Sequence, residues 1–420
     1  MVKKRTQIEL ITGLDVGSTA IRVDVAKQTL LEDGSVDLQI IGLVEVPSEG
    51  VHKGVINSIE ECVSAISHAL EQMEQMIGVP IEHAWVGIAG GHITSQESKG
   101  VVAVAKSDGE IAEEDMVRAV EAARTVAMPL NYEILHVLPR NFCVDGQTGI
   151  KDPVGMTGVR LEVDTQIIQG LTSHIKNITK AVYRTGIDID DLVFSALAIG
   201  EVVVTPRQKD LGVAIVNIGG STTSLLVFEE GEVIHSAVLP IGSEHITNDL
   251  AIGLRTSIEI AEKVKVEYGE CLAKNISKKE MLDLGIVGAE VNEEVSRKYV
   301  AEIIGARMEE ILEKVDNDLI NINRSGLLPA GIVLTGGGAK LAGLVDLAKD
   351  RLRLPASLGY PLNVQSVSEK INDLSFSTAV GLINWGANLQ HSGSKRSSFG
   401  RRSVDKISQQ VRGWFKSLVP

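Results

Sequence analysis

Apolar residues along this chain switch between two periods, and they do so twice. Residues 8–16, 20–27 and 36–46 are dense in Val, Ile and Leu and are joined by turns at 13–19 and 32–35, which predicts three consecutive strands. The period then lengthens. Ile59, Val63, Ile66, Leu70, Met73 and Ile77 recur at spacings of three and four, so 58–77 reads as a helix, with Asn57 or Ser58 as its N-cap and Gly78-Val79-Pro80 as its stop. The second half repeats this order with strands at 211–217, 223–228 and 232–240, followed by helical patterns at 243–254, 256–268 and 291–324. A last strand leads through glycines into a helical pattern around 339–352, and 377–388 reads as a closing helix. The aliphatic runs 212–216 and 331–334 lack polar alternation, as strands covered on both faces do.

Between the halves, residues 85–165 break the repeat. They mix short strands (84–88, 100–105, 133–144, 159–169) with a helix at 112–126, an α+β pattern long enough for a small subdomain of its own.

The turns of the two repeats are chemically alike. Leu14-Asp15-Val16-Gly17-Ser18-Thr19 and Val216-Asn217-Ile218-Gly219-Gly220-Ser221-Thr222 each link two strands through small residues. Glycine lets backbone N–H groups approach a phosphate, and hydroxyls add donors, so each turn is a candidate phosphate cradle. Two of them imply two similar half-domains closing on one nucleotide. Asp15 ends its strand just before the turn, where a carboxylate can hold the water shell of Mg²⁺. A third glycine turn, Leu334-Thr335-Gly336-Gly337-Gly338-Ala339, would let backbone lie against adenine and ribose. No GxxxxGK[ST] pattern occurs, which excludes a P-loop NTPase.

Composition narrows the class. The 420 residues carry a net charge of −14, yet residues 391–420 hold seven Lys or Arg against one acid, so the body is at −20 and the tail at +6. An acidic body argues against nucleic acid as a partner; a basic tail argues for an anionic surface met by the tail alone. Aromatics make up only 3%, which leaves an aliphatic core. Cys62, Cys143 and Cys271 are too scattered for a metal site or a disulfide framework, and the histidines form no ligand set. No stretch approaches the length of a membrane span.

The tail has its own pattern. After a Ser/Gly/Arg-rich linker at 390–402, Val404, Ile407, Val411, Trp414, Phe415 and Leu418 fall on one face of a helix predicted over 403–420, with Lys406, Arg412 and Lys416 on the other side. Aromatics at the headgroup boundary and cations facing anionic lipid are the pattern of a membrane-surface helix. Gly413 weakens the isolated helix by about 1 kcal/mol against Ala, so it is expected to fold on contact with lipid.

The three glycine turns, in this order, resemble the superfamily of actin, heat-shock chaperones and sugar kinases, whose members bind ATP between two ribonuclease-H-like domains. Ala261-Glu262-Lys263-Val264-Lys265-Val266-Glu267-Tyr268-Gly269 is similar to the adenosine-side helix of bacterial actin homologues. Within the insertion, Ile134-Leu135-His136-Val137-Leu138-Pro139-Arg140 and Asp145-Gly146-Gln147-Thr148-Gly149-Ile150-Lys151-Asp152-Pro153-Val154-Gly155-Met156 closely resemble the FtsA family of bacterial cell-division proteins. So do Gly331-Ile332-Val333-Leu334-Thr335-Gly336-Gly337 and Ser377-Thr378-Ala379-Val380-Gly381-Leu382.

The resemblance implies an α/β, actin-like fold. Its first ribonuclease-H-like domain would comprise 7–84, 166–205 and 366–389, with 85–165 inserted. The second would comprise 206–242 and 305–365, with a small partner-binding subdomain at 243–304. ATP and Mg²⁺ are the implied cofactors. Asp15 would hold Mg²⁺ through water, and Gly17, Ser18, Thr19, Gly219, Gly220, Ser221 and Thr222 would take the phosphates. Glu262 and Lys265 would reach the ribose and adenine edge, although their i,i+3 spacing also suits a plain ion pair, and Gly336, Gly337 and Gly338 would line the base. Asn217 and Ser224 stand where the superfamily often has Asp. An amide can bind a metal-bound water but cannot act as a base, so weak turnover or none is expected.

The implied partners are the C-terminal peptide of the tubulin-like protein FtsZ, other copies of the chain in a filament, later division proteins and anionic lipid, at the cytoplasmic face of the inner membrane at the division site. Of the basic residues Arg255, Lys279, Arg297, Lys298 and Arg307, Arg297 and Lys298 are the candidates for the peptide. A pilus-assembly adaptor of the same actin-like group, or a degenerate sugar-kinase-like enzyme, are the competing readings. The basic amphipathic tail weighs against the first and the missing cleft base against the second.

Overall fold

The computed structural model describes residues 8–30, 36–125, 129–289, 294–362 and 364–391. Most of the predicted linker and the whole helix predicted at 403–420 lie outside the described residues, with Val404, Lys406, Ile407, Val411, Arg412, Trp414, Phe415, Lys416 and Leu418.

Two sheets share one strand order. In the first, Ile8–Val16 lies between Ala20–Leu30 and His83–Ile88; Val36–Pro47 follows on one side and Asp188–Phe194 on the other. In the second, Val213–Ile218 lies between Thr223–Glu229 and Ile332–Thr335, flanked by Glu232–Leu239 and Ala356–Leu358. Numbered within each half, both read 3-2-1-4-5. The hairpin-linked strands pair antiparallel and the remaining two parallel, in both halves. This is the ribonuclease-H arrangement, twice. Gln365–Ser366 adds a short parallel edge to the first sheet.

Parallel neighbours need a crossover, and the apolar face of Ile59–Ile77 supplies the first one. Ile66, Leu70 and Met73 on that face are buried against Val23, Val25 and Ile40 of the sheet, each contributing roughly 1.5–3 kcal/mol by leaving water. Gly78 ends the helix in the left-handed conformation at φ 76°, with its N–H donating to the Glu74 carbonyl. The closing helix Ser377–His391 packs on the same sheet from the chain's far end.

The inserted unit has its own sheet, in the order Ile93–Ala103, Arg160–Leu171, Tyr132–Val144, Gln147–Ile150, and its own core around Met116, Val120, Phe142, Leu161 and Ile167. Its helix Glu113–Arg124 sits so close that a Cβ on Gly100 would fall 1.9 Å from the Ala119 carbonyl oxygen. His83–Ile88 belongs to the first large sheet, so the insertion sits a few residues later than the predicted 85–165.

His136, from the motif that carries the family resemblance, fastens this unit to the first domain. Its Nε2 accepts the Phe194 N–H at 2.9 Å, and its ring meets Trp385 edge-on at 5.6 Å. Burial lowers its pKa to about 4, so it is neutral when folded. The unfolded chain takes up a proton near 6.5, so this contribution is present above that pH and is lost as pH falls toward 4. Between pH 7 and pH 5 the His136 site should lose about 2 kcal/mol. The loss should appear in the exchange-derived opening free energy of Tyr132–Val144, and His136→Gln should flatten that pH dependence.

Two helices begin later than their periodicity predicts. The pattern at 291–324 becomes Arg297–Asn321, because Glu294–Ser296 pairs as a strand with Met281–Asp283 and the Ser296 hydroxyl then caps the helix. The pattern at 339–352 becomes a short 3₁₀ turn, Gly337–Lys340, and a helix, Leu344–Leu352. Gly343 breaks it at φ 76°, where a Cβ would fall 2.0 Å from Glu270 Oε1.

Candidate functional site

Each half presents its turn at the same place, between its first two strands. Val16 pairs with Ile21 and Ile218 with Thr223, which leaves 17–20 and 219–222 as the connections. The two close with the same bond: Gly17 N–H donates to the Ala20 carbonyl at 3.1 Å, and Gly219 N–H to the Thr222 carbonyl at 2.9 Å. The likeness seen in sequence is therefore a likeness of backbone.

The fold brings the two turns face to face. A Cβ on Gly220 would lie 2.0 Å from Thr19 Oγ1, which belongs to the other half. Ser221 is buried and Thr19 exposed, and both donate to one carboxylate, that of Glu244: Thr19 Oγ1 to Oε1 at 3.1 Å and Ser221 Oγ to Oε2 at 2.5 Å. Glu244 stands in the first turn of the helix Ser243–Leu254, whose start is bonded to the second cradle through Ser243 N–H to Gly219 O at 2.9 Å and Glu244 N–H to Gly220 O at 2.8 Å. Sequence reasoning missed Glu244. An acid in a helix's first turn complements the helix dipole anywhere, so its reach across the cleft has no local signature.

Below the first turn, Asp15 is largely enclosed and makes no hydrogen bond among the described residues, with Arg22 Nη1 at 4.0 Å. Burial raises its pKa to about 6, partly opposed by Arg22. Arg22 itself donates to Glu45 Oε2 at 2.7 Å and lies over the Phe376 ring. Ser18 Oγ accepts the Gly54 N–H at 2.9 Å, which ties the first turn to the loop before the crossover helix.

The third turn packs on the second. Gly336 adopts φ 86°, and a Cβ there would fall 2.3 Å from Asn217 Oδ1; one on Gly338 would fall 2.5 Å from Ile218 Cγ2. A Cβ on Gly337 would meet nothing within 4 Å. Two of these glycines thus serve packing and the middle one faces open space.

Glu262 and Lys265 form the ion pair their spacing allows, at 2.6 Å, but it is tied into a network. Thr247 Oγ1 donates to Glu262 Oε2 at 2.5 Å, and buried Lys265 donates to Thr247 Oγ1 at 2.9 Å. The pair therefore joins the helix Ile258–Tyr268 to Ser243–Leu254, with the Glu262 side chain 43% exposed.

Among relatives, residues 90–169 match the SHS2 domain inserted in FtsA, the stretch that forms the separate sheet, and residues 214–381 match the family described as Cell division protein FtsA. Cell division protein FtsA of Pseudomonas aeruginosa is 38% identical over 93% of this chain and 93% of its own length.

The chain belongs to the FtsA family.

The Bacillus subtilis FtsA is 40% identical over 90% of this chain and 83% of its own length, and that of Escherichia coli K12 is 33% identical over 99% and 98%. Among solved structures, a PilM-PilN type IV pilus biogenesis complex matches at 16% identity, covering 90% of this chain and 98% of that one, with a TM-score of 0.65. MreB5 of Spiroplasma citri bound to AMPPNP matches at 14% identity, 91% and 97% coverage and a TM-score of 0.53. The fold is actin-like, as the repeated strand order implies.

In this FtsA-family chain residues 243–304 expose apolar side chains that sequence reasoning passed over. Ile252, Met281 and Tyr299 are exposed, and Gly253 lies beneath Ile303 and the Tyr299 hydroxyl. Arg297 is engaged with Glu280 at 2.9 Å, whereas Lys298 makes no ion pair among the described residues. No helix among the described residues is long and apolar enough to cross a membrane.

Proposed function

We propose that the chain binds ATP between its two halves, assembles into filaments on the inner membrane and tethers FtsZ there. The observation that carries the nucleotide part is the meeting of Thr19 from one cradle with Gly220 and Ser221 from the other. Two donor-rich turns that close on each other suit the phosphates of one nucleotide, with Gly337 facing the base. Asp15 fits Mg²⁺: it is an enclosed carboxylate with no hydrogen-bond partner among the described residues, and a cation would offset the penalty of its burial. Bound Mg²⁺ would neutralise phosphate charge. With Asn217 packed on Gly336 and unable to accept a proton, the nucleotide acts as a ligand that favours one conformation, with little turnover.

The membrane part rests on the tail sequence, where one apolar face carries Trp414 and Phe415 and the opposite side carries cations. The inserted unit, a compact module with its own core, is the proposed contact between protomers and with later division proteins.

For FtsZ we propose the surface of Ile252, Met281 and Tyr299, rimmed by Lys298. A short peptide with apolar and acidic residues would lay its apolar side chains on the first three and its charge beside the lysine. Arg297 would act mainly by holding the 280s loop through Glu280. Ile252→Asp should weaken binding of an FtsZ C-terminal peptide at least tenfold in fluorescence anisotropy, with melting temperature unchanged because the side chain is 78% exposed. Unchanged affinity would place the peptide elsewhere.

A further inference from the structure

We infer that Glu244 is a built-in competitor for the nucleotide's phosphates: its carboxylate latches the two cradles together and must be displaced when a phosphate enters. The inference rests on the nucleotide reading above and adds a regulatory element to it.

The carboxylate already holds the donors a phosphate would use. One oxygen takes the Thr19 hydroxyl from the first half at 3.1 Å, and the other takes the Ser221 hydroxyl from the second at 2.5 Å. Its root is fixed to the second half, since the N–H groups of Ser243 and Glu244 donate to the carbonyls of Gly219 and Gly220. The bond to Thr19 is therefore the one that crosses the cleft. The turns are also too close for a third party, because the Cβ position of Gly220 lies 2.0 Å from Thr19 Oγ1 and 2.9 Å from Glu244 Oε1. A phosphate needs the same hydroxyls and carries the same sign of charge, so the two anions exclude one another. Opening the cleft breaks the Thr19 bond and frees both hydroxyls for phosphate. Neighbouring positive charge does not relieve the conflict: the buried Lys265 is engaged with Glu262, Thr247 and the Ser243 carbonyl in the same helix pair.

The test uses the full chain and its Glu244→Gln and Glu244→Ala variants. Gln keeps the size and loses the charge, and its amide can donate to a phosphate. ATP binding measured by calorimetry, with and without Mg²⁺, should tighten about tenfold or more in Glu244→Gln. In the nucleotide-free proteins, amide exchange at 17–20 and 219–223 should be faster in Glu244→Ala than in the parent, with the melting transition retained. Weaker ATP binding in Glu244→Gln would overturn the inference and make Glu244 a supporting ligand of the nucleotide or its metal. Equal affinity and equal exchange would reduce the contact to an incidental one. A parent that binds no ATP under any condition would defeat the nucleotide reading and the competitor role with it, whereas the exchange comparison still reports whether Glu244 holds the empty cleft.

Discussion

Gly337→Val should weaken nucleotide binding about 100-fold while leaving the protein folded, and Gly336→Val, one residue away, should fail for the opposite reason. At Gly337 a Cβ meets nothing within 4 Å, and the residue is not among those with positive φ, so valine costs the fold within about 1 kcal/mol. Its methyl groups would stand in the space proposed for adenine and ribose, and ATP affinity should fall about 100-fold, which is about 2.7 kcal/mol. Gly336 sits at φ 86° with Asn217 Oδ1 2.3 Å from its Cβ position. A β-branched residue there is strained and clashes with the neighbouring strand, a loss of at least about 3 kcal/mol. Melting curves and ATP calorimetry on both variants separate the two effects. If Gly337→Val binds ATP like the parent, the base does not lie on the third turn.

Replacing Trp414 and Phe415 together by Ala should reduce lipid binding to weak adsorption. They are the two aromatics of the apolar face and lie next to each other in a short segment. Burying an aromatic side chain is worth roughly 1.5–3 kcal/mol, and each Lys or Arg near an anionic leaflet adds about 1 kcal/mol. The cations alone then leave weak, salt-sensitive adsorption. Loss of both aromatics should cut vesicle binding at least 100-fold, and Lys406, Arg412 and Lys416 changed to Gln should cut it only on anionic vesicles. On the proposed filament many tails would bind through effective concentration, so the defect should be deepest in the monomer. Vesicle sedimentation at two salt concentrations reads both effects.

Much of the fold was legible because strand and helix alternate cleanly here. The runs 8–16, 20–27 and 36–46 became Ile8–Val16, Ala20–Leu30 and Val36–Pro47, and the repeat of that order fixed the likeness of the halves. Boundaries failed where apolar density does not distinguish one sheet from another. His83–Ile88 looked like the first strand of the insertion because nothing local marks which partner it pairs with. The pattern around 339–352 ran through Gly343, whose left-handed backbone at φ 76° breaks the helix, and the close Glu270 carboxylate, distant in sequence, leaves no room there for a side chain. At the site, the turns were legible as small-residue connections, but the division of labour among Gly336, Gly337 and Gly338 depends on what lies across from each. The Glu262–Lys265 pair was legible by spacing, the burial of Lys265 and the bonds of both to Thr247 were not, and Glu244 required the two halves to be brought together.

The most direct test of the proposed tether is flotation of FtsZ with anionic liposomes, comparing the full chain with a version ending at Gln390, each with and without ATP and Mg²⁺. The account predicts that FtsZ rises with the lipid only when the full chain is present, and more so with nucleotide. FtsZ left at the bottom while the full chain floats would contradict the tether, and FtsZ carried up by the shortened chain would contradict the role of the tail.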